Sequence, residues 1–107
     1  MKTRVLAVAL VVAAAIIAAP TAAQAKPTCA SGTVCTYSAY NFTGTRTVTT
    51  VNSSTRNRCL TLTVRSIDNA SSRPVRTYSG ANCSAGDNLV NPGQSKATTA
   101  INSIWIT

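Results

Sequence analysis

Histidine is absent from this chain of 107 residues, and its only carboxylates are Asp68 and Asp87. Without imidazole there is no Ser-His or Cys-His nucleophile activation and no imidazole metal ligand, and general acid/base work lacks its usual residues. No enzyme is expected. The remaining reactive side chains are Cys29, Cys35, Cys59 and Cys83, at spacings of 6, 24 and 24. A zinc site built from four thiolates normally uses close C-x2-C knuckles, which this spacing lacks. An even cysteine count in an exported chain argues instead for two disulfides, which four cysteines can form in three ways.

Export is itself an expectation from the N-terminus. Lys2 and Arg4 precede an unbroken apolar run from Val5 to Ala19, followed by Pro20 and Ala23-Gln24-Ala25. A charged start, an apolar stretch short of the roughly 20 residues a bilayer requires, and an A-x-A site together predict a secretory signal peptide, residues 1–25, and a secreted, extracellular product. The chain carries 10 Lys plus Arg, a formal charge of +8; residues 26–107 keep eight cations against two Asp, a charge of +6. That exported part is short enough to be one domain with a modest core, for which disulfides are common supplements.

The elements that must position these residues are legible as a repeat. At an offset of 41, Val34-Cys35-Thr36-Tyr37-Ser38-Ala39-Tyr40-Asn41-Phe42 answers Val75-Arg76-Thr77-Tyr78-Ser79-Gly80-Ala81-Asn82-Cys83; at 37, Val64-Arg65-Ser66-Ile67 answers Ile101-Asn102-Ser103-Ile104. Two copies of one supersecondary unit are expected. Strand alternation is clear in Leu60, Leu62 and Val64, and in Ile101, Ser103, Trp105 set against Asn102, Ile104, Ile106. Asn52-Ser53-Ser54, Asp68-Asn69-Ala70-Ser71-Ser72 and Asn91-Pro92-Gly93 read as turns. About four short strands per unit predict an all-β, antiparallel double Greek-key sandwich, one domain, with unit one at about 29–70 and unit two at about 71–107.

Unit one also carries Tyr37-x4-Phe42-x-Gly44 and a later strand-borne Ser66. This pattern resembles the βγ-crystallin Greek-key signature. In unit two Tyr78 and Ser103 match, Cys83 replaces the second aromatic, and Gly86 falls one residue late, with Ala85 at the expected position, so a remodelled hairpin is expected there. The opening Cys29-Ala30-Ser31-Gly32-Thr33-Val34-Cys35-Thr36-Tyr37-Ser38, with Gly44-Thr45-Arg46-Thr47-Val48, resembles the secreted metalloproteinase inhibitors of streptomycete type, a microbial branch of that superfamily.

The resemblance implies a bacterial, two-disulfide wedge, with Cys29 to Cys35 closing a small loop and Cys59 to Cys83 tying the units together. A loop of about 25 residues would contribute roughly 3 kcal/mol through the unfolded chain. The superfamily's calcium loops place adjacent Asp or Asn four to five residues before the closing Ser. Here those positions hold Thr61 and Leu62, and Thr98 and Thr99, so no tight calcium site and no other cofactor or metal is expected. For an inhibitor that presents a substrate-like loop on a rigid frame, Cys59-Leu60 and Asn88-Leu89 are conceivable reactive bonds, since thermolysin-type enzymes favour a bulky apolar residue after the scissile bond. The plainer expectation for both leucines is burial, Leu60 in the core and Leu89 beneath a hairpin. The short disulfide-bracketed loop that could constrain a bait segment is missing from the second half.

The leading reading is therefore a monomeric, secreted inhibitor of an extracellular peptidase, a metalloprotease by resemblance. The alternative is a basic antimicrobial or killer-toxin-like protein that binds anionic cell surfaces through Arg56-Asn57-Arg58 and Arg73 with Arg76. Specific nucleic-acid binding lacks aromatic platforms: Tyr37, Tyr78 and Phe42 are committed to the scaffold and Trp105 to its core or edge, leaving Tyr40. The sequons at Asn41, Asn52, Asn69 and Asn82 read as ordinary turn asparagines in a bacterial protein.

Overall fold

Short runs rich in Thr, Val and Ile, interrupted by Asn, Gly and Pro, favour extended backbone joined by tight turns. The computed structural model describes residues 26–107; the leader assigned to residues 1–25 lies outside the described residues. Eight strands follow in order: β1 (Thr33–Ala39), β2 (Thr43–Thr50), β3 (Cys59–Val64), β4 (Ser66–Asn69), β5 (Val75–Tyr78), β6 (Asn88–Val90), β7 (Ser95–Lys96) and β8 (Ile101–Ile106). They form two antiparallel sheets, sheet A in the order β2-β1-β4-β7 and sheet B in the order β3-β8-β5-β6. Three strands of each four-strand run stay together and the third crosses over, β3 pairing with β8 and β7 with β4. This exchange locks the two halves into one double Greek-key sandwich.

Between the sheets lie Val34, Val64, Ile67, Val75, Val90, Ile101, Ile104 and Ile106, with Leu60, Leu62 and Val51 packed against them. Full burial of each Val or Ile contributes about 1.5–3 kcal/mol. The simple alternation expected for β8 does not hold. Ile101 and Ile104 are both core residues because the β3–β8 pairing slips between Thr61 and Val64, and a bulge changes which face each residue meets. Ser103 is fully buried as well, beneath a folded hairpin.

The turn expected to begin at Asp68 begins later. Asp68 and Asn69 complete β4 and are buried, and the chain reverses only after them. The cause is the Asn69 side chain. Its Oδ1 accepts from the Ser71 N–H (3.0 Å) and hydroxyl (2.7 Å), while its Nδ2 donates to the carbonyls of Arg73 (2.8 Å) and Val90 (3.0 Å). One amide thus organises the connection between the halves and reaches into β6. The turn at Asn91-Pro92-Gly93 is where composition placed it: Gly93 takes φ +82°, and the Gln94 N–H closes it on the Asn91 carbonyl at 2.9 Å.

Replacing Asn69 with Ala orphans two carbonyls and the Ser71 donors in a dry site. Asn69→Ala is expected to lower unfolding free energy by about 1–3 kcal/mol in urea titration; an unchanged midpoint would show that the network is incidental.

Candidate functional site

Each half folds a hairpin back onto its own sheet, and one serine closes it. The Ser66 hydroxyl donates to the Ala39 carbonyl (2.8 Å) and accepts from the Phe42 N–H (3.0 Å). The Ser103 hydroxyl donates to the Gly80 carbonyl (2.7 Å) and accepts from the Cys83 N–H (2.8 Å). Asn41 (φ +59°) and Asn82 (φ +57°) supply the left-handed backbone at equivalent points, a conformation asparagine tolerates. Threonine and serine repeat the next contact: Thr43 Oγ1 to the Tyr40 carbonyl (2.7 Å), Ser84 Oγ to the Ala81 carbonyl (2.6 Å).

The late glycine of the second half is not lost from the pattern. Gly44 (φ +85°) backs onto Ser38, and Gly86 (φ +75°) backs onto Ser79, the equivalent serine. Ala85, at φ +48°, absorbs the extra residue, so the remodelling is confined to one strained alanine. The second aromatic differs more. Phe42 meets Tyr37 edge to face, with centroids 5.7 Å apart, whereas its counterpart Cys83 is joined to Cys59. The other bridge joins Cys29 to Cys35.

These hairpins leave the outer faces of the two sheets in different states. On sheet A, residues 26–32 form a strap: Cys29 is bonded to Cys35, the Thr28 carbonyl accepts from Arg46 Nη2 (2.7 Å), and Lys26 Nζ lies 3.2 Å from Asp68 Oδ2. Beneath it Cys35, Tyr37, Ser66 and Asp68 are all buried. On sheet B the corresponding row across the strands is Cys59, Trp105, Arg76 and Leu89. The folded hairpin reaches the Cys59 end of this row through Cys83 but among the described residues no strap follows it, and a pocket of about 440 Å³ opens there, lined by Cys59, Arg76, Tyr78, Asn82, Cys83 and Trp105. Trp105 and Tyr78, read from sequence as scaffold, are half-buried walls of this pocket. Arg76 Nη1 holds Asp87 Oδ2 at 2.9 Å in an exposed pair at its rim.

Both conceivable reactive bonds belong to sheet B, at opposite edges, roughly 14 Å apart across three strand spacings. Cys59-Leu60 opens β3; Leu60 is half-buried against the core and its neighbour is tethered through the disulfide. Asn88-Leu89 opens β6, and Leu89 is 43% exposed rather than beneath a hairpin. Pairing explains this: Val90, opposite Val75, takes the inward position, so Leu89, opposite Arg76, must face out. Thr61 and Leu62 lie in β3, and Thr98 and Thr99 precede β8. Among the described residues no three His, Cys, Asp or Glu side chains group to hold a metal. Tyr40 is exposed.

Compared with known proteins, the chain matches the model of peptidase inhibitor family I36 over residues 22–90. No curated protein and no solved structure matches it. The matched residues span β1 to β6 and include both conceivable reactive bonds.

If the serine hydroxyls close the hairpins, Ser103→Ala should speed amide exchange at Cys83 at least about tenfold, and Ser66→Ala should do the same at Phe42, each leaving the other hairpin unaffected. Equal protection in both variants would assign closure to another contact.

Proposed function

We propose that this chain, which belongs to peptidase inhibitor family I36, blocks an extracellular metalloprotease by presenting β6, with Asn88-Leu89 as the bond laid across the enzyme's cleft. That the chain acts on a peptidase, and is an inhibitor rather than an enzyme, follows from family membership. The finer reading rests on one observation: Leu89 is an exposed apolar side chain on an edge strand. An edge offers unpaired backbone groups to a partner strand, and alternation then aims one side chain outward into a pocket. Metalloproteases that favour a bulky apolar residue after the scissile bond would take Leu89 there.

Resistance to turnover is a matter of rigidity. Val90 is fully buried one residue later, and Cys83, five residues before the bond, is fixed to Cys59. Little backbone entropy remains to be lost on binding, and a cleaved bond would keep its ends close enough to re-form. Cys59-Leu60 is less suited, because Leu60 would have to leave the core to enter an enzyme pocket. The exported setting fits the N-terminal leader pattern and the two disulfides.

Purified residues 26–107 should inhibit a thermolysin-type zinc endopeptidase at micromolar concentration, and slow cleavage should yield a fragment beginning at Leu89. Leu89→Asp should weaken inhibition by about tenfold or more with no loss of stability. Inhibition that survives Leu89→Asp, or a cut elsewhere, would overturn this assignment of the bond.

A further inference from the structure

Sheets A and B carry the same folded hairpin on the same relative strands, so the strap on one is a guide to what the other lacks. Under the strap, Asp68 receives Lys26 and Arg46 donates to a backbone carbonyl. On sheet B, Trp105 stands where Asp68 does, Arg76 where Cys35 does, and Asp87 where Arg46 does in the internal repeat. The charged socket for a lysine is thus replaced by an aromatic wall, and the covalent tether by a guanidinium. The face carries an open pocket where sheet A carries its strap.

Local charge narrows the chemistry of the occupant. Residues 26–107 carry +6, and of their two carboxylates Asp68 is enclosed, leaving Asp87 as the exposed one. It is paired with Arg76, so the charge of that guanidinium is offset within this face. Only one Arg76 donor group is engaged by Asp87 Oδ2, and a guanidinium has further N–H donors free for a neutral acceptor. A disulfide floor with Tyr78 and Trp105 beside it suits an apolar side chain.

We propose that the outer face of sheet B is a second docking surface for the inhibited peptidase: it takes an extended, uncharged segment of the enzyme's surface, with a backbone carbonyl on Arg76 and an apolar side chain between Tyr78 and Trp105. The proposal rests on the inhibitory reading and extends it, because Leu89 ends the same cross-strand row and the two contacts are continuous. Trp105 is the only tryptophan of the chain, so it reports occupancy directly.

The test uses residues 26–107 carrying 5-fluorotryptophan, titrated with a thermolysin-type zinc endopeptidase and followed by fluorine NMR alongside inhibition. The Trp105 resonance should shift in step with inhibition, and Arg76→Gln should raise the inhibition constant about tenfold with an unchanged melting temperature, since the pair it breaks is solvent-exposed. A resonance that stays in place at full inhibition would remove this face from the interface and leave the Leu89 edge standing. Absence of inhibition by the unaltered protein would instead overturn the inhibitory reading and the docking proposal with it. A shift that depends on the protein's own concentration, without enzyme, would assign the face to a second copy and overturn the proposal.

Discussion

Two serine hydroxyls, each accepting one backbone N–H and donating to one carbonyl, hold the hairpins folded down against the sheets. Most of what is distinctive in the molecule depends on that closure. A β-hairpin left to itself extends in the plane of its strands; here the chain must take left-handed backbone at Asn41 and Phe42, and again at Asn82 and Cys83. Non-glycine residues in that region cost free energy, and Phe and Cys lack the local compensation available to Asn. The paired hydrogen bonds from Ser66 and Ser103, made in buried surroundings, offset the cost. Closure then places Phe42 against Tyr37 in one half and Cys83 against Cys59 in the other.

From that common scaffold the halves diverge through few positions. Sheet A takes up Cys35, Asp68 and Phe42, which together anchor a strap through a disulfide, an ion pair and an aromatic ring with Lys26 Nζ 6.0 Å from its centroid. Sheet B has Arg76, Trp105 and Cys83 at the matching places and stays open. Asp68 illustrates the constraint on the covered side. A carboxylate so enclosed needs a charged partner, and Lys26 supplies it. Covering one face costs an ordered N-terminal segment, and leaving the other bare leaves aromatic surface in water, which a protein tolerates most readily where a partner covers it.

What could be read from sequence followed from how local each signal is. Tyr37, Phe42, Gly44 and Ser66 sit within one hairpin and the strand beneath it, so their spacing carries the geometry directly, and the internal repeat carries it to the second half. The exchange of β3 and β7 is a long-range pairing with no local signature, and composition is silent on it. Asn69 reads as turn material because asparagine so often is; its amide in fact serves four partners and reaches as far along the chain as Val90, a role visible only once Val90 is known to lie beside it. Leu89 misleads in the opposite sense. An apolar residue beside a buried valine is ordinarily core, but in a strand neighbours face opposite ways, and Val75 claims Val90. The status of Trp105 depended on knowing that, among the described residues, no strap like residues 26–32 lies over sheet B and that the folded hairpin leaves Trp105 half-buried.

An edge strand left open is a hazard as well as an opportunity, because unpaired backbone groups can recruit another copy of the same chain. β2 is also an edge, eight residues long and largely exposed, with Val48 at the position equivalent to Leu89. The charge of +6 on residues 26–107 works against such self-pairing, since two copies must bring like charges together, and Arg46 lies within β2 itself. The same repulsion falls away against a partner that is neutral or acidic. Net charge therefore has a physical role that requires no cationic binding site: it disfavours pairing of the exposed edge strands with further copies of the same chain.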